Sequence, residues 1–378
     1  MIKRYTIICS MIAVFVSGTA FYADRIDEDL RALYSQSIDK WPKPTLDEGV
    51  DFHEFKSLPR IDSAALAKSN DPKVRLGKML FFDPILSGSN QISCSSCHNP
   101  QTSFGDHLTV PIGHDHTEGT RNTISLLNVY ARKSMFWDGR ARTLEEQAIA
   151  PIEAHHEMRM DITKLIPKLK AIPGYVAMFE EAYGEGMGED FSLPEVMKSL
   201  AEFQRTLMSK RSRFDEFLDG KYNALTDKEI KGMHLFRTKA RCMNCHNGQF
   251  LTDEKFHNIG LTYYKRKYQD LGLFDATQNP EDVGKFRTPS LRDVGNTAPY
   301  MHNGLFPNLR GIINMYNSGM TMLTPTAEQL TKDPMYPVND PLLKKLDLTT
   351  DEIEALEAFL LSMTAGKYRM PRPESLPR

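Results

Sequence analysis

Apolar residues keep helical spacing in only a few stretches of the chain, and each stretch opens with recognisable start chemistry. Asp71-Pro72 supplies an N-cap and a first-turn proline ahead of Val74 and the run Leu76-Gly77-Lys78-Met79-Leu80-Phe81. Thr226 and Glu229 form a capping-box pattern ahead of Ile230 and Met233. That second run, Lys231-Gly232-Met233-His234-Leu235-Phe236, matches the first at glycine, leucine and phenylalanine, so the chain contains an internal repeat. Thr349 with Glu352 caps a further helix in which Ile353, Leu356, Leu360 and Met363 recur at spacings of 3, 4 and 3. Between the two repeats, 194–217 reads as one helix carrying Val196, Leu200, Phe203 and Leu207 on its apolar face. The Gly- and Pro-punctuated stretches 99–120 and 247–311 show little helical period and read as long functional loops. Strand signals are sparse. The pattern predicts a mainly α fold of two related units with long irregular loops. The boundary falls near residue 205, and residues 24–49 and 365–378 form arms.

Composition adds limits. At 378 residues, with 40% hydrophobic and 25% charged positions, the chain is long enough for two domains of roughly 150 residues. Lys plus Arg is 47 and Asp plus Glu is 49, a formal charge of −2. Such a balance excludes a nucleic-acid binder that works through a positive surplus. The first residues read as an export signal: Lys3 and Arg4, then a mostly apolar stretch from Tyr5 to Val16, then small residues to Ala20 and Ala23. That stretch is short for a membrane span, and no later one is longer. Cleavage of residues 1–23 removes two cations and Cys9, leaving a charge of −4 and an exported, periplasmic protein without a membrane span.

The four remaining cysteines form two pairs with identical gaps, Cys94-Ser95-Ser96-Cys97-His98 and Cys242-Met243-Asn244-Cys245-His246. A CxxC pair can be a redox dithiol or half of a zinc site. A histidine directly after it is the mark of covalent c-type haem attachment. The thiols then add to the haem vinyl groups, and the histidine ligates the iron. Two copies in an exported chain, each after the same helix, favour two covalently bound haem c groups, ligated by His98 and His246.

Between and after these motifs stand Pro111-Ile112-Gly113-His114, Arg121-Asn122, Phe136-Trp137-Asp138-Gly139-Arg140, Glu145-Glu146-Gln147 and Glu157-Met158. Further on come Phe286-Arg287-Thr288-Pro289-Ser290-Leu291-Arg292 and Thr297-Ala298-Pro299-Tyr300-Met301-His302-Asn303-Gly304. From about Pro72 to Met363 the order and spacing of these motifs resemble the bacterial di-haem cytochrome c peroxidases and the related MauG enzymes. The resemblance implies two cytochrome c-like haem domains, a peroxidatic one at 50–205 and an electron-transfer one at 206–364.

The same resemblance assigns roles. Glu157 matches the catalytic glutamate above the first haem, where a carboxylate can take the proton of bound peroxide and return it to the leaving oxygen. Gln147 matches a pocket glutamine, and Trp137 the tryptophan that relays electrons between haems. Asn122, Thr297 and Pro299 match a calcium site, with one amide and two carbonyl oxygens as hard donors. Arg287 matches an arginine that offsets propionate charge. His114, 16 residues after His98, matches the conditional sixth ligand of the peroxidatic iron. Tyr316 falls where the peroxidases place a methionine and MauG a tyrosine as sixth ligand of the second iron, with Met315 and Met320 as neighbours in register. Read without the resemblance, Glu157 is a solvated helix residue, Trp137 and Tyr316 are core, and Gln147, Arg287 and His114 lie at the surface.

The implied function is reduction of hydrogen peroxide to water with electrons from a small cytochrome c or cupredoxin. A MauG-like oxidation of a partner protein is the alternative enzyme, and a di-haem electron carrier the alternative non-enzyme; a homodimer is compatible with each. One departure bears on the choice. MauG carries a tryptophan shortly before its second CxxCH, whereas this chain has Lys239-Ala240-Arg241 there and only Trp41 and Trp137 in all.

Overall fold

The computed structural model describes residues 29–60, 68–320, 324–366, 368 and 370–378; the export signal expected at 1–23, with Cys9, lies outside them. The fold is mainly helical. Its main helices are α1 (Pro72–Phe82), α2 (Leu144–Glu153), α3 (Ile162–Lys170), α4 (Pro173–Tyr183), α5 (Leu193–Arg205), α6 (Arg213–Leu218), α7 (Asp227–Arg237), α8 (Leu309–Asn317) and α9 (Thr350–Ser362). Among the described residues the strands reduce to one antiparallel pair, β1 (Phe256–His257) with β2 (Phe286–Arg287). No helix among them is long and apolar enough to cross a membrane.

Helix starts follow the local chemistry. The Asp71 carboxylate accepts from Lys73 N ahead of α1, and complete capping boxes open α7 (Thr226, Glu229) and α9 (Thr349, Glu352). The single helix expected over 194–217 is instead two, α5 and α6. Asn128 is the physical reason. Its N–H donates to Leu207 O at 2.7 Å, and its side chain bonds Ser209 at both Oγ (2.7 Å) and N (2.9 Å). These bonds hold the intervening chain out of the helix, and Ser212 with Asp215 then starts a new one.

The sequence repeat is a repeat of helix crossings. α1 packs on α5 at Gly77, where a Cβ would overlap the Ser199 carbonyl and press on Phe203. α7 packs on α9 at Gly232, where a Cβ would overlap the Ala355 carbonyl and press on Phe359. The absence of a side chain lets the paired backbones touch, and the leucine and phenylalanine that follow, Leu80-Phe81 and Leu235-Phe236, are buried beside each crossing. Two large hydrophobic cores result, one running from Val74 to Leu207 and one from Phe214 to Met363, with a small third cluster around Val129 and Leu144. The chain ends are exchanged between them. Leu30, Tyr34, Trp41 and Phe55 from the start of the chain belong to the second core, and Tyr368, Met370 and Leu376 from its end pack against the first.

Overpacking a close contact costs about 1–3 kcal/mol. Gly77→Ala and Gly232→Ala should therefore each lower Tm by roughly 2–10 °C in differential scanning calorimetry. An unchanged Tm in either would show that the crossing does not depend on the missing Cβ.

Candidate haem-binding sites

Both CxxCH motifs close a short turn on an imidazole with one committed nitrogen. His98 Nδ1 lies 3.0 Å from Phe104 O, and His246 Nδ1 lies 3.0 Å from Leu251 O. A carbonyl can only accept, so Nδ1 carries the proton and the Nε2 lone pair of each ring is free to ligate iron. Burial pushes both imidazoles to lower pKa, which keeps them neutral as ligation requires. Burial also pushes the Cys94, Cys97 and Cys242 thiols up to about 12. A redox dithiol needs a depressed thiol pKa, so that reading loses support. A zinc site fares no better. Among the described residues the one cluster of three metal-type side chains is Cys245, Asp253 and His257, which leaves Cys242 out. His257 is instead clamped between Asp253, at 2.9 Å, and Asp340.

The second motif opens onto a large cavity. It encloses about 1970 Å³ between its walls, solvent-open part included, and Cys242, Cys245 and His246 form part of the wall. Leu309, Ile312, Ile313, Leu356 and Leu360 supply an apolar lining. Tyr316, on α8, lines the same cavity, whereas Met315 and Met320 do not. Burial pushes the Tyr316 phenol to higher pKa.

The cavity wall is rich in unpaired donors. Arg287 Nη2, Arg241 Nε and His302 Nε2 are buried without a hydrogen-bond partner. Arg132 also lines the cavity, and burial together with the Arg287 charge pushes it down to about 9. Two arginine donors and a neutral imidazole nitrogen left without hydrogen bonds around an apolar slot suit a flat apolar group with carboxylate edges, which is the chemistry of haem and its propionates. Of these residues the sequence reading singled out only Arg287. Arg241 was signalled by its place directly before the motif, and His302 by its place among the quoted stretches.

Trp137 stands in the same wall, 8% exposed, where its Nε1 donates to Asn122 O at 2.9 Å. Its ring meets His302 edge-on at 6.4 Å, and His302 in turn stacks on Phe286 at 3.6 Å. Asn122, Thr297 and Pro299 line the cavity together. Asn122 Nδ2 is used on Leu108 O at 2.9 Å, which leaves the amide oxygen available as a hard donor.

Near the first motif, Glu157 is not on a helix. α2 ends at Glu153, and Glu157 follows in a turn closed by its own N–H on Ala154 O at 3.0 Å. Its half-buried carboxyl is pushed to higher pKa by burial, against the lowering effect of His156 and Arg140. Its charge is felt at both Cys94 and Cys97. The His114 N–H donates to Glu157 O at 2.8 Å, and Gly113 lets the two segments touch. His114 Nδ1 lies 3.0 Å from Asp115 Oδ1 but off the hydrogen-bonding direction, and so is buried without a hydrogen bond. Gln147 lies half-buried on α2, one turn before Pro151, whose carbonyl accepts from Met158 N at 3.2 Å. The 154–158 turn thus folds back along the helix that carries Gln147.

Comparison with known proteins agrees with this geometry. The di-haem cytochrome c peroxidase family profile matches residues 71–223. Methylamine utilization protein MauG of Methylophilus methylotrophus is 35% identical over 83% of this chain and 90% of its own length. Cytochrome c551 peroxidase of Pseudomonas aeruginosa is 32% identical over 84% of this chain and 86% of its own. The chain belongs to the di-haem cytochrome c peroxidase and MauG family. A solved MauG-like protein associated with microbial copper homeostasis superposes with a TM-score of 0.68 at 30% identity, covering 84% of this chain and 95% of that one. The chain is thus an oxidoreductase-family protein whose cofactors are haem c groups, and the two imidazoles, the thiols and the orphaned cavity donors fit them.

His302 gives the fold a pH dependence. Burial pushes its imidazole from the ordinary 6.5 down to about 4. The unfolded chain gains this proton as pH falls through 6.5, and the folded chain does not until about 4. Its contribution to stability is whole above 6.5 and is lost as pH falls towards 4, at up to about 1.4 kcal/mol per pH unit. His302→Phe keeps a ring on Phe286, so its Tm should fall less steeply over that window in calorimetry; parallel profiles would acquit His302.

Proposed function

We propose that this chain is a periplasmic di-haem peroxidase that reduces hydrogen peroxide to water with electrons from a small cytochrome c or cupredoxin. The observation that carries the reading is the Glu157 carboxyl, half-buried, raised in pKa, and close enough to the first motif to be felt at both of its thiols. In this reading residues 50–205 form the peroxidatic unit and 206–364 the electron-transfer unit.

Bound at His98 and His246, the haems would supply an iron that takes peroxide and an iron that stores electrons. Glu157 accepts the proton from the inner peroxide oxygen and returns it to the outer one, so that the leaving group departs as water. A carboxyl raised by burial is a better base for the first half of that transfer and is still acidic enough to return the proton in the second. Two electrons and two further protons complete two waters. Gln147 hydrogen-bonds peroxide from α2. His114 would be the movable ligand of the first iron, and the lack of a hydrogen bond on its buried Nδ1 supports that role. Trp137 passes electrons between the sites, held by its bond to Asn122 O. Calcium bound by Asn122, Thr297 and Pro299 stiffens the wall behind it. Arg287, with Arg241 and Arg132, neutralises propionates.

A second reading, MauG-like oxidation of a partner protein, is favoured by one observation. Tyr316 faces the second cavity, and burial pushes its phenol to higher pKa. A phenolate ligand favours higher oxidation states of iron, whereas a thioether favours Fe(II). A peroxidase pocket joined to a tyrosine-ligated second iron combines features of both branches of the family.

Glu157→Gln should keep both haems and their resting spectra while steady-state peroxide turnover with a ferrous cytochrome falls by roughly 10²-fold or more. Near-normal turnover would remove Glu157 from the chemistry.

The sixth ligand is checked by spectroscopy. Tyr316→Phe should turn the second haem high-spin in EPR, while Met315→Leu and Met320→Leu leave it unchanged. A high-spin signal in a methionine variant instead would assign the ligand to that methionine.

A further inference from the structure

The other tryptophan of the chain lies in a site that the peroxidase reading does not use. Trp41 is 6% exposed and meets Tyr34, fully buried, edge-on at 5.0 Å. The Tyr34 hydroxyl lies 3.0 Å from Nδ1 of His234 on α7. On the basis of the peroxidase reading, we propose that Tyr34, His234 and Trp41 form an internal one-electron reservoir for the second haem site.

A phenol gives up an electron at moderate potential only if its proton leaves at the same time, and that needs a base already in hydrogen-bond reach. His234 is placed to be that base. Burial and the Arg237 charge push its pKa down, so the ring is neutral and its Nδ1 lone pair can accept. The ring is half-exposed, which gives the accepted proton a route from Nε2 to water. Burial pushes the Tyr34 phenol up to about 12, so it holds its proton until it is oxidised. The nearby charge is balanced: the Arg237 guanidinium lies 5.4 Å from both the Trp41 and Phe55 rings and is paired with Glu54.

A contact path joins the pair to the haem cavity. Phe236 lines that cavity, its ring lies 6.1 Å from Phe55, and Phe55 and Trp41 flank the same guanidinium. Tethering of the N-terminal arm does not account for the Tyr34–His234 bond. That task is met by Arg31 on Tyr222 O and Leu225 O, by Thr45 N on Arg237 O, and by Asp47 N on Asn244 Oδ1.

The step balances. Hydrogen peroxide is the oxidant and takes two electrons at the first site. One of them is replaced from Tyr34, whose O–H bond breaks, the proton moving to His234 Nδ1 and the electron through Trp41 towards the second site. A later electron from the donor protein, with a proton returned through His234, restores the phenol. With both rings buried, the pair holds an oxidising equivalent inside the protein instead of presenting it to a partner.

The test treats the holoenzyme with stoichiometric hydrogen peroxide without donor, freezes it, and records high-field EPR beside steady-state oxidation of a ferrous small cytochrome. Wild type should give a tyrosyl radical that narrows with ring-deuterated tyrosine. Tyr34→Phe should lose it while keeping the cytochrome rate. Trp41→Phe should slow its formation. His234→Leu should raise its g1 value, because the phenoxyl oxygen loses a hydrogen-bond donor. Cytochrome oxidation without any radical, or a radical unchanged in Tyr34→Phe, overturns the reservoir and leaves the peroxidase reading standing. Inertness to peroxide in both measurements overturns both.

Discussion

The structure turns on a hydrogen bond made twice, from the imidazole of each CxxCH motif to the carbonyl of a buried apolar residue a few positions later. Phe104 and Leu251 both hold left-handed backbone, with φ of 59° and 55°, and both side chains are fully buried. That conformation costs a non-glycine residue roughly 1–2 kcal/mol. Burying a phenylalanine or leucine returns about 1.5–3 kcal/mol, so the core can hold the strained turn. The turn brings the carbonyl back to Nδ1, and the tautomer of each CxxCH histidine is thereby set by packing. Replacing either residue with glycine would relax the backbone and lose the anchor.

The turns need fixed platforms, and the glycine crossings supply them. Each motif follows a helix whose backbone touches its partner, so the start of each loop is located to within a side-chain contact. The exchanged chain ends reinforce this arrangement, because the N-terminal arm lies on the second motif itself. Asn244, inside the motif, donates to Thr45 O at 3.0 Å, and Asn247, just after it, accepts from His53 N at 3.2 Å. The arm is thus part of the structure around the second motif, and it also brings Tyr34 and Trp41 to α7.

What the sequence made legible was local. Capping boxes, the Gly-Leu-Phe repeat and the CxxCH pairs announce themselves within a dozen residues, and the structure places them where that chemistry implies. Long-range pairing left no such trace. Tyr34 and His234 stand 200 positions apart, and nothing in either neighbourhood points to the other. The unbroken helix expected over 194–217 failed for the same reason, since the competing hydrogen bonds come from Asn128. Helices α2 and α3 carry internal prolines, Pro151 and Pro167, which hide them from periodicity. Glu157 lay in an apparent helix because the Ala154 stop depends on the turn that follows. Of the cavity cations, Arg241 is adjacent to the second motif in sequence, whereas Arg132 sits far from either motif and reaches the cavity only through the fold.

The smallest sheet in the molecule shows how such shape is made. β1 and β2 are two residues each, yet their register sets His257 opposite Phe286 and Phe256 opposite Arg287. His257, Phe286 and Arg287 all line the second cavity. Two-stranded pairs are marginal alone, so this one must be held from outside. On one side His257 is bonded to Asp253 and Asp340, both carboxylates lowered in pKa by that partner against the raising effect of burial. On the other, Arg287 is bonded to Glu254 at 3.1 Å, and its N–H to Trp137 O at 2.9 Å. His257 gives both ring nitrogens to carboxylates, whereas Arg287 gives one side to Glu254 and keeps a second donor unpaired at the cavity. A buried guanidinium satisfied on both faces would have no reason to bind anything, and one satisfied on neither would not stay buried. Half-satisfaction keeps the wall folded while leaving it complementary to an anionic edge.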